Sequence, residues 1–386
     1  MINQIEYGID YSKNIIFKMK KKIVDDVIIM YQFSPAQGTD AWLKGREKTI
    51  GGSEMSIILG NNPYQDIQSL VSTKLGWNVF KGNLATAWGK LFEPIVQIYL
   101  EMLFKCPIYE TGSLPGCIEG TSYSPDGFAV ARSEDVKKLM GKYMPHHTIP
   151  KDAITILFEI KSPFSRIPNG EVPHHYISQP RSGLSHFDFL DIAYFVDVSF
   201  RVCSIDELLT DGYNTNFHNR DSKKNTDFKH YASGMIGIYS TDDHAIATQI
   251  DYGCANIKII ENIIINASMM STTHAFYYEP NITTYDEILQ TKNHFEIMCE
   301  KNNYTMLGFL PYKICKFYIL PVDRDIGYVE RLKPEIDQVL KIIKDIKQAS
   351  DPKQKFNEYF SPDSIFEDYT TDMQSITQEF NTIMNL

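Results

Sequence analysis

Apolar residues recur at helical spacing in three long stretches of the chain. The most regular is Leu84–Phe104, where apolar side chains follow the three- and four-residue spacing of one helix face. Pro94 lies inside this stretch, so we expect the helix to kink or restart there. Gly327–Ile346 has the same amphipathic pattern, and Tyr176–Phe187 is a weaker example. The pattern therefore predicts three helices of three or more turns.

Other segments are rich in β-forming residues. Ile154–Ile160 is a run of mostly such residues bounded by Pro163, which is typical of a buried strand. Asp191–Val202 and Ile314–Val322 are predicted as further strands, and Ser113–Val130 as extended segments around turns. The chain is thus expected to combine helices with a sheet.

The pattern divides the chain into five parts. Residues 1–32 alternate apolar and basic groups and are interpreted as an N-terminal extension, and 33–202 form the dense core. Residues 203–312 are interpreted as an insertion of unknown role, because short apolar runs alternate there with Asn-rich breaks. A last core strand and helix follow at 313–348, and 349–386 are predicted to be an acidic, peripheral tail.

Composition limits the class of protein. With 386 residues, of which 43% are hydrophobic, the chain can bury a sizeable core. Six scattered cysteines without metal-ligand spacing fit reduced intracellular thiols, and no apolar run suits a membrane span or a signal peptide. We therefore expect a soluble, intracellular protein with no membrane partner. The net charge of −10 counts against a broad nucleic-acid surface, although it leaves room for a local basic channel.

Two short segments carry the candidate chemistry. A Ser-Pro-Asp-Gly turn at 124–127 delivers Asp126, and the end of the buried strand delivers Glu159 and Lys161. Residues two apart in a strand face the same side, so Glu159 and Lys161 project together while Ile160 turns into the core. A lysine on a buried strand is costly unless it has partners or a function.

Phosphodiester hydrolysis explains why these residue types are gathered. Carboxylates are hard oxygen ligands for Mg²⁺, and the ion neutralises charge on the phosphate and lowers the pKa of a bound water. Lys161 is suited to orient or deprotonate that water, or to stabilise the phosphate oxygens. The alternative without a catalytic function is an exposed aspartate in a turn and a Glu–Lys pair on the surface. Together, the two segments favour a magnesium-dependent deoxyribonuclease.

The same segments resemble the PD-(D/E)XK nuclease signature, and their flanks narrow the resemblance to the lambda exonuclease and YqaJ-type viral recombinase family. Five motifs carry it in the family's order over residues 37–187. They are Asp40-Ala41-Trp42 with Arg46 and Gly51-Gly52-Ser53-Glu54, then Ala87-Trp88-Gly89-Lys90 with Glu93, Ser124-Pro125-Asp126-Gly127, Glu159-Ile160-Lys161 with Pro163-Phe164, and Tyr176 with Gln179.

The resemblance implies a fold and an activity. The fold would be α/β (α+β), with a central mixed β-sheet flanked by helices in a restriction-endonuclease-like core. The activity would be 5′-to-3′ exonucleolytic degradation of duplex DNA ends with Mg²⁺ or Mn²⁺, two ions per site, for viral recombination, repair or genome maturation. Such an enzyme would work in a host cytoplasm or viral replication site, with a single-strand annealing protein as a potential partner. The oligomeric state stays open, a ring-forming homo-oligomer being one alternative.

The resemblance also assigns roles to the catalytic candidates. Asp126 and Glu159 would bind metal with the backbone carbonyl of Ile160, and Lys161 would act on the water. Glu93 would hold a second metal or its water shell, unless it is an ordinary solvated helix residue.

Four further residues take roles by the same resemblance. Gln179 would orient the active site, although Pro180 follows it and disfavours α geometry there. Arg46, Ser53 and Ser124 would hold the 5′-phosphate of the DNA end. An arginine fork suits a phosphate, and Ser53 at a helix start adds backbone donors. The alternative for Arg46 is an ordinary surface charge.

Some features depart from the family pattern. The segment 131–152 is longer than the usual hairpin and is interpreted as an added flap, and the insertion would rebuild subunit contacts. The adjacent pairs His146–His147 and His174–His175 are interpreted as loop residues, because neighbouring side chains face different ways. Two other functions remain open: a structure-specific endonuclease or resolvase on the same fold, and a catalytically silent DNA-end-binding scaffold.

Overall fold

A mixed β-sheet of seven strands forms the centre of the molecule. The computed structural model describes residues 14–35, 40–78, 83–141, 150, 152–209, 233–241 and 274–361. The strands are β1 Ile50–Gly51, β2 Ile108–Tyr109, β3 Leu114–Pro115, β4 Thr121–Tyr123, β5 Gly127–Arg132, β6 Ala153–Lys161, β7 Ile192–Val202, β8 Ser233–Ser240, β9 His274–Glu279 and β10 Thr305–Val322.

The helices surround this sheet, and a 3₁₀ turn at Gly52–Glu54 leads into one of them. They are α1 Ile15–Tyr31, α2 Asp40–Arg46, α3 Met55–Ile58, α4 Ile67–Lys74, α5 Leu84–Phe104, α6 Ser133–Met140, α7 His174–His186, α8 Ile205–Leu208, α9 Tyr285–Asn302, α10 Tyr328–Arg331, α11 Lys333–Gln348 and α12 Pro352–Phe360. None of the helices in the described ranges is both long and apolar enough to span a membrane.

The order of the large sheet is β2-β5-β6-β7-β10-β8-β9, and only β6 and β7 run parallel within it. Helix α7 provides the crossover between those two strands, as a parallel pair requires. A small sheet of order β1-β4-β3 lies beside it. The predicted architecture, a mixed sheet flanked by helices, is confirmed.

The two faces of the sheet are covered by different helices. Alternate residues of β6 point to opposite faces, so Ile156 and Phe158 pack with α5, whereas Leu157 packs with α1 and α7. This double coverage explains why every residue of β6 before Lys161 is buried. It also places Glu159 and Lys161 on the face of α7.

Helices α5 and α7 both continue through a proline. The predicted bounds of α5 are confirmed, and of the two alternatives at Pro94, a kink or a restart, the restart does not occur. Pro180 lies inside α7 although it was expected to disfavour α geometry there. An internal proline costs a helix about 3 kcal/mol. Burial of the apolar face of α5, including Phe92 and Ile95, outweighs that cost.

Helix α1 belongs to the packed structure. Phe17 and Val24 are buried against β5 and β6, so the part 15–31 of the expected N-terminal extension packs on the sheet as a helical layer. The domain boundaries themselves stay a prediction.

The stretch 203–312, interpreted as an insertion, adds strands to the sheet. Strand β10 begins at Thr305, earlier than the predicted Ile314, and its first half pairs with β8, which in turn pairs with β9. Helix α9 covers this extension through Phe295, which lies so close to Gly237 that a Cβ there would be 2.6 Å from the ring. The insertion therefore enlarges the central sheet.

The end of the described chain forms a helical layer. The single helix expected at Gly327–Ile346 is divided into α10 and α11, and α12 packs on α11. The tail predicted to be peripheral thus starts with a packed helix, and residues 362–386 lie outside the described part. The apolar side chains of α3, α4, α10 and α11 form one cluster in this layer.

Candidate active site

Asp126 lies in the turn between β4 and β5, where two contacts fix it. Its Oδ2 accepts a hydrogen bond of 2.7 Å from the backbone N–H of Ile160, and its backbone carbonyl accepts one of 3.0 Å from Gln97 on α5. The carboxylate is nearly inaccessible, with 6% exposure of the residue. The turn motif thus places its aspartate against the end of β6, as the sequence predicts.

Glu159 is fully buried on β6 and binds two neighbours. Its Oε2 accepts a hydrogen bond of 3.0 Å from the hydroxyl of Tyr123, and its Oε1 is paired with Lys161. The same Lys161 Nζ lies 3.8 Å from Oδ2 of Asp126. The three residues predicted from the two motifs therefore form one cluster, and Tyr123 is a member that the sequence did not reveal.

The electrostatics of the cluster reflect burial and crowded negative charge. Burial, followed by the nearby Asp126, raises the pKa of Glu159 well above its ordinary range, while Lys161 opposes this. For Lys161, burial would lower the pKa, but Glu159 and Asp126 outweigh it, so the net pKa is raised. The lysine is therefore held as a cation among the carboxylates.

Glu93 on α5 faces the same cluster from the side of Asp126. Burial and then the charge of Asp126 raise the pKa of Glu93 above its ordinary range, with Lys161 acting in the opposite direction. A cavity of about 250 Å³ opens beside these carboxylates, and Glu110 contributes a further one to its lining. Glu93 is thus brought to the site, although its role as a ligand remains a prediction.

The donors suit a hard divalent cation. Within the described part of the chain, no three acidic, histidine or cysteine side chains converge closely enough to hold a metal by themselves. Instead, the single ammonium of Lys161 faces the two buried carboxylates of Glu159 and Asp126, so when both are ionised one negative charge is left over. A cation with oxygen preference fits such a pair, and Glu93 on α5 faces Asp126 from the side.

Helix α7 borders the cluster. The ring of Tyr176 lies 5.7 Å from Lys161 Nζ, and Gln179 follows one turn later, where its backbone carbonyl accepts a hydrogen bond from Ser182. The orienting role of the Gln179 side chain stays a prediction. His174 and His175 belong to the first turn of α7, so their interpretation as loop residues is wrong, whereas His146 and His147 lie outside the described residues.

A second cluster gathers the residues predicted to bind phosphate. Arg46 Nη2 donates to Ser53 Oγ at 3.1 Å, and the guanidinium carbon lies 4.7 Å from the centre of the Trp42 ring. Trp42 Nε1 in turn donates to Ser124 Oγ at 3.2 Å. Ser124 is two residues before Asp126. The structure therefore joins Arg46, Ser53 and Ser124 through Trp42, next to the carboxylates. Ser53, expected at a helix start, lies in the 3₁₀ turn that leads into α3.

Two residues that were given no role complete this cluster. Glu54 Oε1 lies 3.0 Å from Arg46 Nη2, and Glu54 Oε2 lies 2.7 Å from Lys74 Nζ. Burial opposes the ionisation of Glu54, but Arg46 and Lys74 outweigh it, so the net pKa is lowered. The position of Glu54 in a family motif could have indicated a functional role, whereas nothing in the sequence distinguished Lys74 from an exposed helix lysine.

Comparisons with known proteins agree with this assembly. Residues 41–185 match the YqaJ-like viral recombinase domain. The predicted family resemblance is thereby confirmed over the part of the chain that contains all the candidate residues. The family match and the geometry of the candidate active site together support a viral-type nuclease in this recombinase-like region.

Relatives that match most of this chain come from a virus. Protein D345L of African swine fever virus, strain Badajoz 1971 Vero-adapted, is 28% identical over 348 residues, covering 86% of this chain and 93% of the relative. The version from isolate Tick/Malawi/Lil 20-1/1983 matches with the same identity and coverage. The similarity therefore extends well beyond the recombinase-like region.

Solved structures give weaker likenesses. An alkaline exonuclease, LHK-Exo from Laribacter hongkongensis, has 19% identity and a TM-score of 0.31 over 42% of this chain and 74% of its own. LHK-Exo in complex with dAMP has 13% identity and a TM-score of 0.37 over 80% and 93%, respectively. Both structures are less similar to this chain in sequence than the viral relatives are.

Proposed function

We propose that this protein is a metal-dependent 5′-to-3′ exonuclease that degrades duplex DNA from 5′-phosphorylated ends. The observation that carries the proposal is the connection between the phosphate-binding cluster of Arg46, Ser53 and Ser124 and the catalytic cluster of Asp126, Glu159 and Lys161. Ser124 contacts Trp42 beneath Arg46, and Asp126, two residues later, contacts the end of the strand that bears Glu159 and Lys161. A terminal phosphate bound beside Arg46 would bring the adjoining phosphodiester towards Asp126, Glu159 and Lys161.

The residues of the catalytic cluster have complementary roles in this proposal. Asp126 and Glu159 would hold Mg²⁺, with the carbonyl of Ile160, and Glu93 would hold a second ion or its water shell. When bound, the metal supplies neutralisation of phosphate charge and a water of lowered pKa. Lys161 keeps its proton beside the carboxylates, so it is suited to orient the attacking water and to stabilise the phosphate oxygens.

The second cluster would select the DNA end. The Arg46 guanidinium is planar and permanently charged, and it lies on the Trp42 ring with Ser53 beside it. Hydroxyl and guanidinium donors of this kind bind a phosphate dianion more strongly than a neutral 5′-hydroxyl. Binding at this cluster would give the enzyme its direction along the strand.

Linear duplexes with one labelled strand test the proposal. With Mg²⁺, a label at the 5′ end should be released early as mononucleotide and a label at the 3′ end late, and chelation of the metal should stop both. Covalently closed circular duplex should remain intact, and a 5′-hydroxyl end should be degraded more slowly than a 5′-phosphate end. Rapid cutting of the closed circle, or release from the 3′ end first, would contradict the proposal.

A further inference from the structure

Lys74 is a buried lysine whose ammonium is completely engaged. The residue is 3% exposed, and its Nζ donates to the carbonyls of Arg46 and Thr49 at 2.7 and 2.6 Å and to Glu54 Oε2 at 2.7 Å. Three acceptors match the three donors of an ammonium group. A lysine is rarely buried unless it is paired in this way, because desolvation of its charge is costly. The geometry therefore indicates a specific role for Lys74.

Glu54 connects this lysine to Arg46. One carboxylate oxygen is paired with Arg46 at 3.0 Å, and the other accepts from Lys74 and from the backbone N–H of Gly51, both at 2.7 Å. The carboxylate is thus held from three directions and cannot rotate without losing a bond. Since charge-assisted bonds of this kind restrict geometry, Glu54 fixes the guanidinium beside Ser53.

Arg46, Lys74 and Glu54 together have an excess of positive charge, which favours binding of an anionic ligand. Arg46 and Lys74 are two cations and Glu54 is one carboxylate, so one net positive charge remains. Arg46 is the member with access to solvent, at 22% side-chain exposure against 13% for Glu54 and 3% for Lys74. Without Lys74, the carboxylate would neutralise the arginine, and little charge would remain to attract an anion.

Gly51 lies directly beside the Arg46 guanidinium. A Cβ on this residue would lie 2.7 Å from Arg46 Nη2, whereas the backbone at φ −85° and ψ 160° is open to any amino acid. The missing side chain at Gly51, rather than a special backbone conformation, leaves room for the Arg46 guanidinium.

We propose that Glu54 and Lys74 are positioning residues for the 5′-phosphate: Glu54 aligns the Arg46 guanidinium, and Lys74 anchors Glu54 and supplies the charge that keeps Arg46 available. This inference rests on the proposed exonuclease function. It adds a buried layer beneath the phosphate-binding residues, and it makes end selection depend on side chains that do not touch the DNA.

The test compares initial rates on duplexes that differ only in a 5′-phosphate or 5′-hydroxyl. Glu54→Asp keeps the charge but shortens the carboxylate, so it cannot reach Arg46 and Lys74 together, and Lys74→Met removes the surplus charge. Each should lower the ratio of kcat/KM for the phosphate end over the hydroxyl end about tenfold, mainly by raising KM for the phosphate end. Matched changes at exposed positions, Glu296→Asp and Lys341→Met, should leave the ratio as in the wild type.

The outcomes separate the two proposals. A wild-type enzyme without preference for the phosphate end would refute the proposed function, whereas wild-type preference that survives in both variants would refute this inference. Equal losses on both ends would mean a structural role and would also overturn it. If either variant fails to fold in a thermal melt, Lys74→Gln decides, because it removes the surplus charge but keeps a donor for the carbonyls of Arg46 and Thr49. It should lower the same ratio, and an unchanged ratio would refute the inference.

Discussion

At the scale of single residues, Lys161 is the cation on which the catalytic carboxylates depend. It is paired with Glu159 and lies 3.8 Å from Asp126, at the end of a strand that is otherwise buried. Lys161→Met keeps the length of the side chain and removes the charge. We expect kcat to fall about a hundred- to a thousandfold, as for the loss of other electrostatic stabilisers in active sites.

The measurement is the rate on 5′-phosphorylated duplex at saturating Mg²⁺, together with the affinity for the same DNA. Binding should change little, because the phosphate-binding residues are untouched. The exposed Lys90 on α5 offers a control, and Lys90→Met should retain the wild-type rate. Activity that persists in Lys161→Met would show that the cluster is not the catalytic centre.

Tyr123 gives a second prediction at this scale. Its hydroxyl donates to Glu159 Oε2 at 3.0 Å, and its ring lies against Gly52, where a Cβ would be 2.4 Å away. Tyr123→Phe keeps the ring and leaves Glu159 less well held, so we expect a rate loss of about tenfold and a higher Mg²⁺ concentration for half-maximal rate. Titration of the rate with Mg²⁺ checks this, with the exposed Tyr285→Phe as control. An unchanged titration would mean that the hydroxyl does not position the carboxylate.

The residues that could be predicted from sequence are those whose chemistry is local. Glu159 and Lys161 are two positions apart on one strand, so strand geometry alone brings them to the same face. The partners of Tyr123 and Lys74 lie 36 and 20 positions away. Those contacts depend on how β4 meets β6 and how α4 meets the 3₁₀ turn, which a single sequence does not specify.

At the scale of elements, the well-predicted helices and strands are those with long apolar patterns. The bounds of α5 follow from its periodicity, and packing on the sheet keeps it intact through Pro94. Strands β8 and β9 could not be predicted, because each is short and its partner is distant in the chain. Strand β10 pairs with both β7 and β8, and its first half was assigned to the insertion.

Helix α1 supplies the prediction at this scale. Phe17 is 5% exposed and packs in the cluster with β5 and β6, whereas Met30 on the same helix is 70% exposed. Phe17→Ala should lower the free energy of unfolding by about 3 kcal/mol, through lost burial and the cavity left behind. Met30→Ala should change it by less than about 0.5 kcal/mol. Denaturant titration measures both, and equal small effects would mean that α1 is a dispensable appendage after all.

At the scale of the whole molecule, the negative net charge and the proposed DNA substrate are reconciled by where the cations lie. Arg46 and Lys74 share the single carboxylate of Glu54, so positive charge is in excess where the terminal phosphate would bind. The rest of the surface can stay acidic without preventing binding at a DNA end. Such a local field should favour ends over internal duplex, which has the same backbone charge.

His186 couples several parts of the fold and makes stability depend on pH. It ends α7, its Nδ1 accepts a hydrogen bond of 3.0 Å from the N–H of Cys117, and Glu330 of α10 is the charged group near it. Burial lowers the pKa of His186 to about 4, with Glu330 opposing this. The folded protein therefore keeps the ring neutral at pH values where the unfolded chain, with a pKa near 6.5, is protonated.

The sign of the effect follows from this difference in proton binding. Between about pH 6.5 and 4, the unfolded state binds a proton that the folded state does not, so the free energy of unfolding falls as pH falls, by about 3 kcal/mol at most. His186→Gln retains a hydrogen-bond acceptor but has no titrating group, so the stability of this variant should vary less between pH 6.5 and 4. Below that range, both proteins should lose stability together as carboxylates such as Glu54 are protonated. Urea titrations at pH 7, 5.5 and 4.5 measure the difference. Parallel curves for the two proteins would mean that His186 accepts its proton in the folded state as readily as in the unfolded chain.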